Sequence, residues 1–125
     1  MNIIYRDGLL FTSINIEFRG KSKVITNMVI DTGAAQTLIS QESVNELGLV
    51  YENDDMLVSS KGIGGIEYSF VKRIDKINLG SLELIDFDID FTGYIDYDIN
   101  GLLGLDLLIL AGLKIDLEKF RIRKP

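Results

Sequence analysis

The chain of 125 residues carries 46% hydrophobic and 26% charged residues, a single proline and a formal net charge of −6; this is the composition of one globular domain with a core of its own, too short for two lobes. The acidity leaves no basic face for nucleic-acid phosphates. The absence of cysteine and histidine removes thiol nucleophiles, Ser-His and Cys-His arrangements, haem and the usual zinc ligands, so carboxylates, Lys and Tyr remain for acid–base work.

Residues 1–10 lack the charged head and apolar core of a signal peptide, because Arg6 and Asp7 interrupt them. The longest apolar stretch, 102–113, contains Asp106 and falls far short of the roughly 20 residues that a membrane helix requires. The expectation is one domain over residues 1–125, cytoplasmic, with neither nucleic acid nor membrane as partner.

Along the chain, residues 9–18 alternate, with Leu9, Phe11, Ile14, Ile16 and Phe18 among polar positions. A turn follows at Arg19-Gly20-Lys21-Ser22, and residues 24–30 return with Val24, Met28 and Ile30 on one face, which predicts a β-hairpin. The return strand leads straight into Asp31-Thr32-Gly33. A carboxylate between two apolar runs, followed at once by glycine, places a charge at the top of a turn where another backbone can approach closely. The same triplet also suits an ordinary surface turn. Residues 37–39 are extended, and Ser40 with Ser43 forms a Ser-x-x-Ser variant of a capping box before a short helix over 41–47 that stops at Gly48.

Residues 51–55 read as a polar loop. The runs 56–58 and 68–71 then flank a tip with Gly62, Gly64 and Gly65, a long hairpin whose end can move. Gly62-x-Gly64 lacks the third glycine and the following helix of a phosphate loop. Residues 74–79, a turn at Gly80-Ser81 and residues 82–91 make another hairpin. In its second strand Ile85, Phe87, Ile89 and Phe91 form a core face opposite Asp86, Asp88 and Asp90. Three aspartates at period two read as a solvated face, since they run along a straight edge and do not close a cation cage. The stretch from Asp96 to Gly101 resembles the first half of a calcium loop, but its twelfth position is Leu107 where a glutamate is needed. No metal and no cofactor are expected. Residues 102–103 read as a short strand, Gly104 as a bend, and 105–111 as a buried helix with Asp106 in its first turn and Gly112 at its end. Residues 114–117 and 119–123 close the chain as a hairpin.

Three segments, in this order and approximate spacing, resemble the retropepsin-like aspartic proteases, single-domain relatives of retroviral protease, over about residues 11–122. Asp31-Thr32-Gly33-Ala34, continuing as Thr37-Leu38-Ile39, is similar to the family's active-site loop. Lys61-Gly62-Ile63-Gly64-Gly65-Ile66 resembles the flap tip, and Leu102-Leu103-Gly104-Leu105-Asp106-Leu107-Leu108 the hydrophobic-hydrophobic-Gly segment with its helix. The resemblance implies a mainly β, single-domain acid-protease barrel with a flap hairpin and one or two short helices. It implies Asp31 as catalytic carboxylate, Thr32 and Gly33 as active-site support, and Ala34, Ala35, Ile63, Gly64, Gly65 and Ile66 as substrate-binding positions. Thr37, Gly104 and Asp106 are implied as structural, with a hydrogen bond from Thr37 or nearby backbone to Asp106. Two departures stand out. Retroviral enzymes commonly carry Arg after the second glycine and Asp two places after the first, where this chain has Leu105 and Ala35; both members of that ion pair are missing together, as in a cellular or bacterial relative.

Peptide hydrolysis by this chemistry needs two carboxylates about one water apart, one as general base and one as general acid. The chain has a single Asp-Thr-Gly, so the implied enzyme is an isologous homodimer with one Asp31 from each subunit, acting on an extended peptide or unfolded protein. Residues 3–5 and 120–123 are candidates for an intersubunit sheet, and Ile39, Ile63 and Ile66 point to apolar pockets. The alternative is a non-catalytic peptide- or protein-binding module on the same fold.

Overall fold

A computed structural model describes residues 2–62, 65–93, 95 and 98–123, with the backbone alone for 60–62 and 65–67. The strands are β1 (Ile4–Arg6), β2 (Leu9–Phe18), β3 (Lys21–Ile30), β4 (Leu38–Ser40), β5 (Leu57–Gly62), β6 (Gly65–Leu79), β7 (Leu82–Thr92), β8 (Gly101–Leu103), β9 (Lys114–Asp116) and β10 (Arg121–Arg123). A 3₁₀ helix covers Gln41–Leu47, and one α-helix, α1, covers Leu105–Ala111. The fold is mainly β, as expected. The large sheet has the order β1-β2-β3-β8-β4-β7-β6-β5, and an added β2–β6 pairing closes β2, β3, β8, β4, β7 and β6 into a ring. Closure gives these strands partners on both sides, so only β1 and β5 are left as edges of this sheet.

The ring encloses the core, whose largest buried side chains include Phe91, Ile14, Ile16, Met28, Ile74 and Leu103. Two strands change their inward face part-way along. In β3 the buried residues are Ile25, Met28, Val29 and Ile30, whereas Val24, expected inside, is 58% exposed. Asn27 takes a left-handed φ of 54°, and the β2–β3 register shifts between Thr12 and Ile14; such an irregularity moves the alternation by one residue. In β7 Asp86 has φ 53°. Leu82 and Leu84 pack on the core before it and Phe87, Ile89 and Phe91 after it, while Ile85 is turned outward.

Two further expectations are revised. The Ser40 side chain makes no capping bond. Ser40 is the last, extended residue of β4 with its own N–H given to Asn100 O, and the local contact runs the other way, from Ser43 Oγ to Ser40 O at 2.7 Å. The strands expected over 68–71 and 74–79 are one continuous strand, β6, because Lys72 and Arg73, which break the apolar pattern, both find acidic partners. At the termini, β1 pairs with β2, and Ile3 N donates to Phe120 O at 2.8 Å beside an Asn2–Arg121 bridge. The two terminal segments therefore meet within one chain. Among the described residues no helix is long and apolar enough to cross a membrane.

Lys72 is the one buried charged residue among those described, 6% exposed, with its Nζ 2.8 Å from Asp55 Oδ2 and also bound to Glu52, which in turn accepts from Arg19. The cluster ties the loop before β5 to β6, at the base of the long hairpin. Burial alone would lower the Lys72 pKa, but the hydrogen bonds and charges of Asp55 and Glu52 outweigh it and raise the value. Burial likewise opposes ionisation of Asp55, yet the Lys72 hydrogen bond and the Glu52 N–H bring its pKa below the usual carboxylate value; Glu52 is lowered by the hydrogen bonds from Lys72 and Arg19. Depressed carboxylates stabilise the fold above their unfolded-state pKa and lose that contribution as pH falls through the folded one. Lys72→Met should therefore lower unfolding stability by about 1–3 kcal/mol near neutral pH, because it strands the mostly buried Asp55 carboxylate. In denaturant titrations the gap to the wild type should narrow as both carboxylates protonate in acid; equal stabilities at neutral pH would show that the cluster contributes nothing.

Candidate active site

Asp31 follows the last residue of β3, which pairs in parallel with β8 through Met28–Gly101, Val29–Leu102 and Ile30–Leu103. Its N–H continues that ladder to Leu103 O at 3.0 Å, so the end of a central strand sets its position. The backbone then turns, with Ala34 N donating to Asp31 O at 3.1 Å, and Gly33 N donates to Asp31 Oδ1 at 2.9 Å. The half-buried carboxylate is thus oriented by its own loop, while Thr32, Gly33 and Ala35 lie exposed beside it. A Cβ on Gly33 would sit 3.2 Å from Asp31 Oδ1, tight against the carboxylate.

The loop is held from behind by the start of α1. Leu105 N donates to Ala34 O at 2.8 Å and Asp106 N to Ala35 O at 3.2 Å. Asp106 Oδ1 accepts from Thr37 N at 2.9 Å, Thr37 Oγ1 at 2.7 Å and Leu107 N at 2.7 Å, and Thr37 Oγ1 accepts in turn from Gly104 N at 3.1 Å. Thr37 is fully buried, where an unpaired hydroxyl or amide would be costly. Gly104 has extended backbone, so the demand for glycine is spatial: its Cβ would lie 2.5 Å from Gln36 C and 2.6 Å from Gln36 O. Gly101 meets the same constraint, its Cβ falling 2.6 Å from Leu38 O and from Met28 Sδ. Leu105 and Ala35 lie where backbone hydrogen bonds join loop to helix.

In front of the loop is a groove of ≈ 400 Å³ walled by Ala34, Ala35, Leu38, Leu102 and Asp90, with Val58 and Ser69 from the long hairpin. The structure thus brings Ala34 and Ala35 to a groove. Of the expected tip residues, Ile63 and Gly64 lie outside the described residues; Gly65 and Ile66 enter β6, paired with Gly62 and Lys61 of β5. Ile39 lines no groove, because it is wholly buried in the core. Sequence reasoning placed Asp90 on a solvated face with Asp86 and Asp88. The structure separates them: Asp88 pairs with Arg73 at 3.0 Å, whereas Asp90 is half-buried at the groove. The signal missing from the sequence is the parallel β4–β7 pairing that sets Leu38 beside Asp90. Asp96 and Tyr97 of the calcium-like stretch lie outside the described residues, and among those described no cluster of three or more acidic groups could hold a metal ion.

Thr37→Val should cost about 1–3 kcal/mol of unfolding stability, because Gly104 N loses its acceptor and Asp106 Oδ1 one donor in a buried setting. Thr37→Ser should recover most of the loss in the same denaturant titration. If Val and Ser variants unfold alike, the hydroxyl carries no part of the linkage.

Residues 14–107 match the aspartyl protease family. The crystal structure of a retropepsin-like aspartic protease from Rickettsia conorii superposes with a TM-score of 0.70 at 18% identity, covering 97% of this chain and 86% of that one. No curated protein matches the chain in sequence. The family match takes in the Asp31 loop, β4 to β8 and the start of α1, and with it the chain belongs to the aspartyl proteases, on a retropepsin-like fold.

Proposed function

We propose that the chain is an aspartic endopeptidase that works as a homodimer, with Asp31 of each subunit facing its counterpart across a two-fold axis. The observation that carries this reading is the presentation of Asp31: a half-buried carboxylate at the end of a central strand, its Oδ1 oriented by Gly33 N, in a loop whose Ala34 and Ala35 wall an open groove. One such carboxylate cannot act as base and acid at once, and the chain supplies a single Asp-Thr-Gly. An identical copy completes the pair.

In the proposed reaction the two carboxyls share one proton, since like charges this close do not both ionise. The ionised member removes a proton from a water as it attacks the peptide carbonyl carbon. The protonated member gives its proton to the carbonyl oxygen, and the resulting tetrahedral species collapses as the leaving nitrogen takes up a proton. Gly33 leaves room for the peptide, and Thr32, exposed next to Asp31, joins the two loops across the axis. The substrate is an extended peptide or unfolded protein, held by main-chain groups of the groove and of the β5–β6 hairpin acting as a flap, with Ala34, Ala35, Gly65 and Ile66 among its contacts. Thr37, Gly104 and Asp106 hold the loop and touch no substrate.

Asp31→Asn should lower kcat/KM on an unfolded polypeptide at mildly acid pH by about 10²–10⁴-fold or more, with circular dichroism and thermal unfolding unchanged. Cleavage surviving in that variant would reject Asp31 as the catalytic group. Diluting wild-type chains with excess Asp31→Asn chains tests the dimer separately. Activity per wild-type chain should fall with the wild-type fraction if two Asp31 groups are needed, and stay constant if each chain works alone. A wild type that binds peptides without cutting them would leave a peptide-binding module.

A further inference from the structure

Asp90 is placed as none of its neighbouring aspartates is. It lies in β7 opposite Leu38 of β4 and Val71 of β6, with its N–H directed to Thr37 O at 3.4 Å. It is the one charged side chain among the described residues that wall the groove beside the Asp31 loop; its companions there are Ala34, Ala35, Leu38, Val58 and Leu102, with Gln36 and Ser69 as neutral polar groups. Asp88 has the Arg73 guanidinium, and Asp55 and Glu52 share Lys72. The Asp90 carboxylate takes no hydrogen bond and no ion pair from any described residue. Burial, and then the negative charges of Asp106 and Asp88, push its pKa above the ordinary carboxylate value.

A carboxylate held half out of water, beside two like charges and without a cation, has its interaction capacity turned toward whatever enters the groove. A metal ion would need more ligands than this wall offers, since no acidic cluster of three gathers among the described residues. A single monovalent cation on a long apolar stem fits better. Its methylenes would lie along Ala34, Leu38 and Leu102, and its charge would reach Asp90.

We propose that Asp90 is a specificity-determining residue, whose carboxylate selects peptides bearing a lysine or arginine side chain at a fixed position near the scissile bond. This rests on reading the groove beside Asp31 as the place where substrate lies. It adds a basic preference at one subsite to the apolar preference expected from Ile39, Ile63 and Ile66, of which Ile39 is core. The remaining wall is apolar apart from the neutral Gln36 and Ser69 and offers no second charge, so selection for a cation lies in Asp90.

The test is a peptide library with each position varied in turn among lysine, its uncharged isostere norleucine and glutamate, assayed with wild type and Asp90→Asn at the highest pH that supports cleavage. The wild type should prefer lysine over norleucine at one position by about tenfold in kcat/KM, in the range of a partly desolvated charge pair. Asp90→Asn should bring that ratio near one, and Asp90→Lys should turn the preference toward glutamate. A wild type without basic preference at any position, or an Asn variant that keeps it, overturns the assignment. The same peptides titrated onto Asp31→Asn protein by fluorescence anisotropy separate this proposal from the catalytic one. A lysine-over-norleucine affinity ratio abolished by adding Asp90→Asn supports Asp90 even if the wild type cuts nothing. Equal affinities overturn it whatever the wild type cleaves.

Discussion

The structure depends on a half-buried carboxylate that must be satisfied. Asp106 Oδ1 draws together the amide and hydroxyl of Thr37 and the amide of Leu107, and the Thr37 hydroxyl passes the linkage on to Gly104 N. Removing such a group from water is unfavourable until its donors are in place, so the loop after Asp31 and the start of α1 take up one relative position. Gly104 makes that position possible: any side chain there would overlap the Gln36 backbone. The strand end that presents Asp31 is thereby braced from two directions, by the β8 ladder and by the helix.

The bracing around Leu105 and Ala35 is made by the backbone. Hydrogen bonds from Leu105 N and Asp106 N to the carbonyls of Ala34 and Ala35 hold loop and helix together. An exposed ion pair adds little to such a joint. The surface near Ala35 is small and apolar. The charge at this end of the groove then comes from Asp90, on a different strand.

The ring of strands separates two kinds of charge. Asp88, turned outward, pairs with Arg73 across the ladder, and Lys72 is buried where the loop before β5 brings Glu52 and Asp55 to it. Asp90 is turned to the groove and left without a partner among the described residues. Side-chain direction in a strand follows from period two, so one left-handed residue, Asp86, changes which neighbours face the core.

Much of this was legible in the residues themselves. The apolar run ending in Asp31, the glycines at 33 and 104, Asp106 in the first turn of a helix and the terminal hairpin all lie in windows of a few residues, where propensity and alternation act directly. Local pattern also misled, at Val24 and Ile85, because the left-handed conformations of Asn27 and Asp86 are not written in residue type. Only the tertiary structure decided the parallel pairings of β3 with β8 and β4 with β7. Those pairings bring Thr37 to Gly104, 67 positions away, and Leu38 to Asp90. Chain closure over such distances is set by how the whole core packs, which no short stretch of sequence contains. The sequence alone determined that Asp31 sits at the end of its strand; the folded ring determined what braces its loop and which charge walls the groove beside that loop.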